Sequence, residues 1–181
     1  LKMLNIEDSL LIIVDAQGNL ARVVAESEAA ISRIQILTRA AAILGLPVLL
    51  TAQSPHKIGH TIEEVASLLP EQPELARTSF SVLADESCRL ALESTRRRQV
   101  LLCGFETHIC VYQSAAEMLA EGCEVYIIAD AVSSRQQNDK QTALHEISRL
   151  GGHVLSTEMA LFSLLRQAAD PRFKAISALI K

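Results

Sequence analysis

The chain has no tryptophan, and its few phenylalanines and tyrosines bring the aromatic content to only 3%. Positive charge is not in surplus either. Seventeen Lys and Arg face 21 Asp and Glu, a net charge of −4, so there is no basic footprint and no nucleic-acid partner is expected. No apolar run approaches the ~20 residues that cross a bilayer, and the N-terminus lacks the basic-then-apolar layout of a signal peptide. No membrane partner is expected. The four cysteines (Cys88, Cys103, Cys110 and Cys123) form no C-x-x-C pair and have no histidine at metal-ligand spacing. They read as reduced thiols in a cytoplasmic setting. Neither G-x-G-x-x-G nor G-x-x-x-x-G-K occurs, so no nucleotide cofactor is expected.

What the chain does have is apolar bulk, 49% of its 181 residues. That length suits one compact domain, 1–181, with a sizeable core. The apolar fraction also points to a buried subunit interface, a homo-oligomer of two or more copies. Strand and helix patterns alternate, the signature of α/β folds with helices on both faces of a mostly parallel sheet. Ser9–Val14 is a continuous apolar run, and Pro47–Thr51, Gln99–Cys103, Glu124–Ala129 and His153–Ser156 read as further strands. Helical stripes run over Ala29–Leu44 (stopped by Gly45), Glu63–Leu69 (stopped by Pro70), Asp85–Arg97, Val111–Glu121 and Asp139–Leu150, and the tail is helical. Arg96–Arg98 reads as the solvated, cationic last turn of its helix. Pro55 and Gly59 keep Gln53–His60 irregular. There is no repeat and no linker.

Ligands in open parallel sheets bind at the carboxyl ends of the strands. Asp15, Gln53, Asp130 and the turn Gly104–Cys110 all fall at such ends. Cys110 sits where a strand turns into a helix, a place where the helix dipole lowers a thiol's pKa and unpaired N–H groups stabilise an oxyanion. A nucleophile fits there, and a buried structural cysteine is the other reading. Asp15 follows a buried run and suits either a general base or an ordinary strand-end cap. His56 and His60 are four apart, but with Pro55 and Gly59 beside them they read as surface or pocket-rim histidines, and no metal is expected. Cys103 and Cys123 read as core residues.

Four stretches occur in order: Val14–Gln17, Arg77–Ser81, Gly104–Val111 and Ala129–Arg135. They resemble successive signatures of the isochorismatase-like cysteine hydrolases. The tail, Phe162–Leu165 and then Pro171–Ile176, is similar to the single-domain isochorismatase-domain branch. The resemblance runs from about Ser9 to Lys181 and implies a three-layer α/β sandwich with an Asp, Lys and Cys catalytic triad. Asp15 matches the Asp and Cys110 the Cys, while Arg77 stands where the family has Lys. Arg keeps the positive charge, gives up no proton, and prefers a bidentate partner such as Asp15. The resemblance also implies a cis bond at Phe105–Glu106 that aims N–H groups, including that of Cys110, at an oxyanion. Gln17, Gln53, Phe80, Glu106, Thr107, His108 and Ile109 are expected to border the substrate. For His108 a structural role near the turn is the other reading, and Ser133–Arg135 is expected to anchor a neighbouring loop or subunit. The metal-binding nicotinamidase branch has an Asp-x-His motif where this chain has Gln53 and Pro55.

The function implied is hydrolysis of a small amide, imide or related C–N substrate by a cysteine nucleophile. Two alternatives stand beside it. One is a silent family member acting as an oligomeric scaffold, and the other is a vinyl ether hydrolase of the isochorismate type.

Overall fold

Every residue of β1 (Ser9–Val14) is buried. Its run is apolar at consecutive positions because helices cover both faces of the sheet it belongs to. The computed structural model describes residues 3–181. Five further strands complete the sheet: β2 (Val48–Gln53), β3 (Glu74–Arg77), β4 (Gln99–Phe105), β5 (Glu124–Ser133) and β6 (His153–Leu155). Their order is β3-β2-β1-β4-β5-β6, with every pairing parallel. The helices are α1 (Leu20–Val23), α2 (Ser27–Leu44), α3 (Pro55–Ile58), α4 (Glu63–Ala66), α5 (Glu86–Thr95), α6 (Tyr112–Ala120), α7 (Gln137–Arg149), α8 (Thr157–Leu165) and α9 (Phe173–Ile180).

Alternation along β1 splits the core in two. Leu11 and Ile13 pack with Ile34, Leu161 and Ile176 from α2, α8 and α9. Leu10, Ile12 and Val14 pack with Leu92, Met118 and Ile147 from α5, α6 and α7. The result is the expected three-layer α/β sandwich. Cys103 and Cys123 are buried in these two clusters, as their context predicted.

Several boundaries differ from the sequence reading, each for a physical reason. β3 was not anticipated, because Glu-Leu-Ala-Arg carries too little apolar alternation and, as an edge strand, needs little. β5 does not end at Asp130 but runs three residues further. Asp130 faces outward instead, and its Oδ1 accepts the Thr157 N–H at 2.8 Å at the start of α8. Pro55 opens a single helical turn, α3, because proline is tolerated at the first helical position. α4 stops at Ala66, and α5 stops at Thr95 with Arg96 left-handed at φ 56°. The arginines beyond α5 are not simply solvated. Arg97 donates to the Ile6 carbonyl and to that of Ser9 (3.0 Å), and Arg98 donates to the Glu121 carbonyl at 2.6 Å. They tie the amino ends of the strands together.

Candidate active site

Three strand ends converge on one buried cluster. Asp15 leaves β1 in a left-handed conformation, φ 50°, sparsely populated for a residue with a side chain. That geometry turns its carboxylate back over the sheet, where it is 1% exposed. Arg77 ends β3, two strands away, and its guanidinium closes on Asp15 as a fork. Nη1 donates to Oδ1 at 3.0 Å and Nη2 to Oδ2 at 2.9 Å, and Nη2 also donates to the Phe80 carbonyl at 3.2 Å. The Arg77 Nε–H is buried without a partner among the described residues.

Cys110 comes from the turn after β4. Gly104 makes the approach possible: it has φ +111°, and a Cβ there would sit 1.8 Å from the Val14 carbonyl oxygen. Only glycine lets β4 lie this close to the β1 end that carries Asp15. The Phe105–Glu106 bond is cis, as the resemblance implies. Cys110 does not open an ordinary helix. It lies inside a π-helical turn, Thr107–Val111, that leads into α6, a local form often found at functional sites. The Ile109 and Val111 N–H groups both reach the Glu106 carbonyl, and the Cys110 N–H lies between them. Ser114 braces the turn by donating its hydroxyl to the Cys110 carbonyl at 2.6 Å.

The Cys110 thiol sits close enough to Asp15 and Arg77 for the charges of both to act on it. Its ionisation runs opposite to the helix-terminus expectation. Burial pushes the thiol up, the Asp15 charge and hydrogen bond push it further, and Arg77 offsets this only in part. Burial also pushes the Asp15 carboxyl up from the usual carboxylate range, against the charge and hydrogen bonds of Arg77 and the bond from Cys110. The resting pair is therefore a protonated thiol against a carboxylate of raised basicity, with a fixed cation on the far side.

The remaining candidates divide between the cluster and its supports. The Gln17 amide is fully engaged by backbone: Nε2 donates to the Gln53 and Gly59 carbonyls (3.0 and 2.6 Å), and Oε1 accepts the Gln53 N–H at 2.7 Å. Completely buried, it braces the loop that frames the site. Gln53 donates to the Ser54 hydroxyl and the Thr78 carbonyl, pinning β2 to the chain after Arg77. Glu106 accepts the Arg135 N–H at 2.8 Å and its Nε–H at 3.2 Å. His108 Nδ1 pairs with the Ser134 hydroxyl at 2.9 Å. Ser134 and Arg135 thus hold the cysteine turn, while the Ser133 hydroxyl donates to the Ala25 carbonyl. Thr107 is buried, its hydroxyl without a partner among the described residues, whereas Ile109 is partly exposed and Phe80 is 51% exposed. His56 lies at the rim of a small cavity over Arg77, and exposed His60 pairs with Glu74 at 2.7 Å. Among the described residues no group of three or more His, Cys, Asp or Glu is arranged to hold a metal ion. Sequence reasoning missed Ser114 and Gly104 as supports. A lone glycine at a strand end was the one available signal for the second.

Comparison with known proteins agrees with this architecture. The isochorismatase domain family model matches residues 9–159. A secreted isochorismatase effector, Isc1, of Phytophthora sojae is 34% identical over 177 residues, covering 96% of this chain and 84% of its own. Among solved structures, the MAR1 ribonuclease of Caenorhabditis elegans superposes with a TM-score of 0.93 at 29% identity, covering 99% of this chain and 92% of its own. The Escherichia coli YcaC gene product, described as an octameric hydrolase of unknown specificity, has the same fold. It superposes with a TM-score of 0.94 at 22% identity, covering 99% of this chain and 90% of its own.

Proposed function

The chain belongs to the isochorismatase family of hydrolases, and we propose that it acts on a small amide, imide or related C–N substrate through Cys110. One observation carries the reading: Asp15, Arg77 and Cys110 come from three different strand ends into one buried cluster, with Asp15 and Arg77 joined by a two-bond fork and the thiol within reach of both charges. Asp15 takes the thiol proton as Sγ attacks the carbonyl carbon. The oxyanion forms against the Cys110 N–H, and Arg77 keeps the cluster's charge balanced. Asp15 then passes its proton to the leaving nitrogen as the C–N bond breaks. A water molecule, deprotonated by the same carboxylate, hydrolyses the thioester and restores the thiol. Gln17, Gln53 and Glu106 shape the site through the backbone, leaving Phe80, Thr107, His108 and Ile109 to face the substrate.

The test is intact-protein mass measured during turnover in a screen of amides, ureides and isochorismate. An acyl adduct on Cys110 with a C–N substrate is expected, whereas turnover of isochorismate alone with no adduct would overturn the thiol route. The ribonuclease name belongs to the nematode relative. The net charge of −4 favours small molecules over a phosphate backbone as the proposed substrates. The free thiols suit a reducing compartment, and a cytoplasmic location is part of the same proposal. Among the described residues no helix is long and apolar enough to cross a membrane.

Assembly into a dimer or larger ring belongs here too. Met3, Met159 and Phe162 line an apolar groove beside the edge strand β6, and the octameric relative shares the fold. Light scattering should give at least twice the 19.7 kDa of one chain. A monomer mass at micromolar concentration would refute it.

A further inference from the structure

A cavity of about 740 Å³ lies between the first turn of α2 and the outer face of α7, and the hydrolytic site does not use it. It opens where β6 runs out: β6 accompanies β5 only to Ile128, while β5 continues to Ser133. The volume falls within the ~300–1,000 Å³ common for small-ligand sites.

Its charges are unusual. Lys140, from α7, lines the cavity and is 8% exposed, yet its ammonium makes no hydrogen bond or ion pair among the described residues. The cavity wall covers its stem, and the ammonium itself opens onto the cavity with no acceptor beside it among the described residues. Burial pushes this ammonium down, while Glu26 and Asp130 pull it back from a distance without touching it. Asp130 is already committed. One oxygen accepts from the Thr157 N–H and hydroxyl (2.8 and 2.9 Å), and the other faces Arg33 at 3.4 Å. The N-terminus of α8, otherwise a ready anion cradle, is therefore filled from within the fold. Glu26, exposed at the rim, has no side-chain partner among the described residues. The cavity thus holds one unpaired ammonium on its wall and one unpaired carboxylate at its mouth.

We propose that this cavity binds a small zwitterion of the α-amino acid type, its carboxylate on Lys140 and its ammonium toward Glu26. A bare anion on Lys140 would face two carboxylates of its own sign. A bare cation would face Arg33 and Lys140, and a neutral solute would leave both free charges unpaired.

The test is calorimetric titration of the native protein with the common α-amino acids, and with acetate and methylammonium as the two half-ligands. At least one amino acid is expected to saturate the protein, with each half-ligand binding at least about tenfold more weakly. Lys140→Met and Glu26→Gln are each expected to weaken that amino acid by about tenfold or more while Cys110 alkylates as in wild type. Glu26 is exposed, so its variant remains informative should Lys140→Met fold poorly. Absence of any saturable amino acid overturns the proposal. So does acetate binding as tightly as the amino acid, or amino-acid binding that is unchanged in Glu26→Gln.

Discussion

Cys110→Ala should give a folded protein with no measurable turnover, and Asp15→Asn should lose about 10²–10⁴-fold, the usual contribution of a positioned general base. What distinguishes this site is the thiol in the second variant. The Asp15 charge and hydrogen bond both push the Cys110 thiol up, and Arg77 opposes them. Removing that charge while keeping the shape frees Arg77 to face the sulfur. The thiol of Asp15→Asn is therefore expected to alkylate with iodoacetamide at a lower pH than in wild type, even as turnover collapses. Wild type itself should need a pH above the ~8.5 of a free thiol, the reverse of a pre-formed thiolate. Its kcat/KM should fall on the acid side as Asp15 protonates, above the usual carboxylate range because burial has raised that group. Full activity in Cys110→Ala would end the nucleophile assignment. An alkylation profile unmoved in Asp15→Asn would mean that Asp15 does not govern the thiol.

That reversal marks where sequence reading stopped. A strand-to-helix cysteine invites the dipole argument, and the dipole is a local property. Burial and the Asp15 carboxylate come from β1, ninety-five positions earlier in the chain, and they outweigh it. The π-helical turn was equally invisible, because one extra residue per turn leaves the apolar stripe from Val111 onward unchanged. The strands at the centre of the sheet were legible because both of their faces are buried and the sequence must be apolar throughout. β3, the edge strand that delivers Arg77, was not, since Glu74 and Arg77 are half of it and an edge tolerates them. The resemblance named Gln17 as bordering the substrate, and no sequence pattern could show that its amide is engaged by three backbone groups. The pairing of Arg77 with Asp15 was expected once the resemblance put both residues at one site. A guanidinium two strands from a buried carboxylate has one partner that matches both of its arms.

Arg77 stands where the resemblance implies a Lys, and its replacement decides what that difference means. Arg77→Ala leaves Asp15 buried beside an uncompensated cavity. Breaking a buried pair from one side costs about 3–5 kcal/mol, so the variant should melt well below wild type and lose nearly all turnover. Arg77→Lys retains the charge but cannot reproduce the fork: one ammonium must replace two parallel donors to Asp15 and a third bond to the Phe80 carbonyl. If the cation acts only by holding charge beside Asp15 and Cys110, Arg77→Lys should keep kcat within a few-fold and lose about 1–3 kcal/mol of stability to the missing hydrogen bonds. A proton-exchanging role predicts the opposite, because a buried lysine can give up a proton and an arginine cannot. In that case Arg77→Lys should raise kcat more than about tenfold, over ~1.4 kcal/mol off the barrier. The geometry favours the first outcome. Both terminal nitrogens of Arg77 are committed to the Asp15 carboxylate, and its Nε–H is buried without a partner among the described residues, which leaves the guanidinium no proton to pass on. A silent scaffold would show neither result: no substitution at position 77 would yield turnover on any family substrate, and Cys110 would alkylate like an ordinary thiol in wild type and Asp15→Asn alike. Steady-state kinetics, melting temperature and thiol titration on the wild type, Arg77→Lys and Arg77→Ala separate the three, with the electrostatic role the expected result.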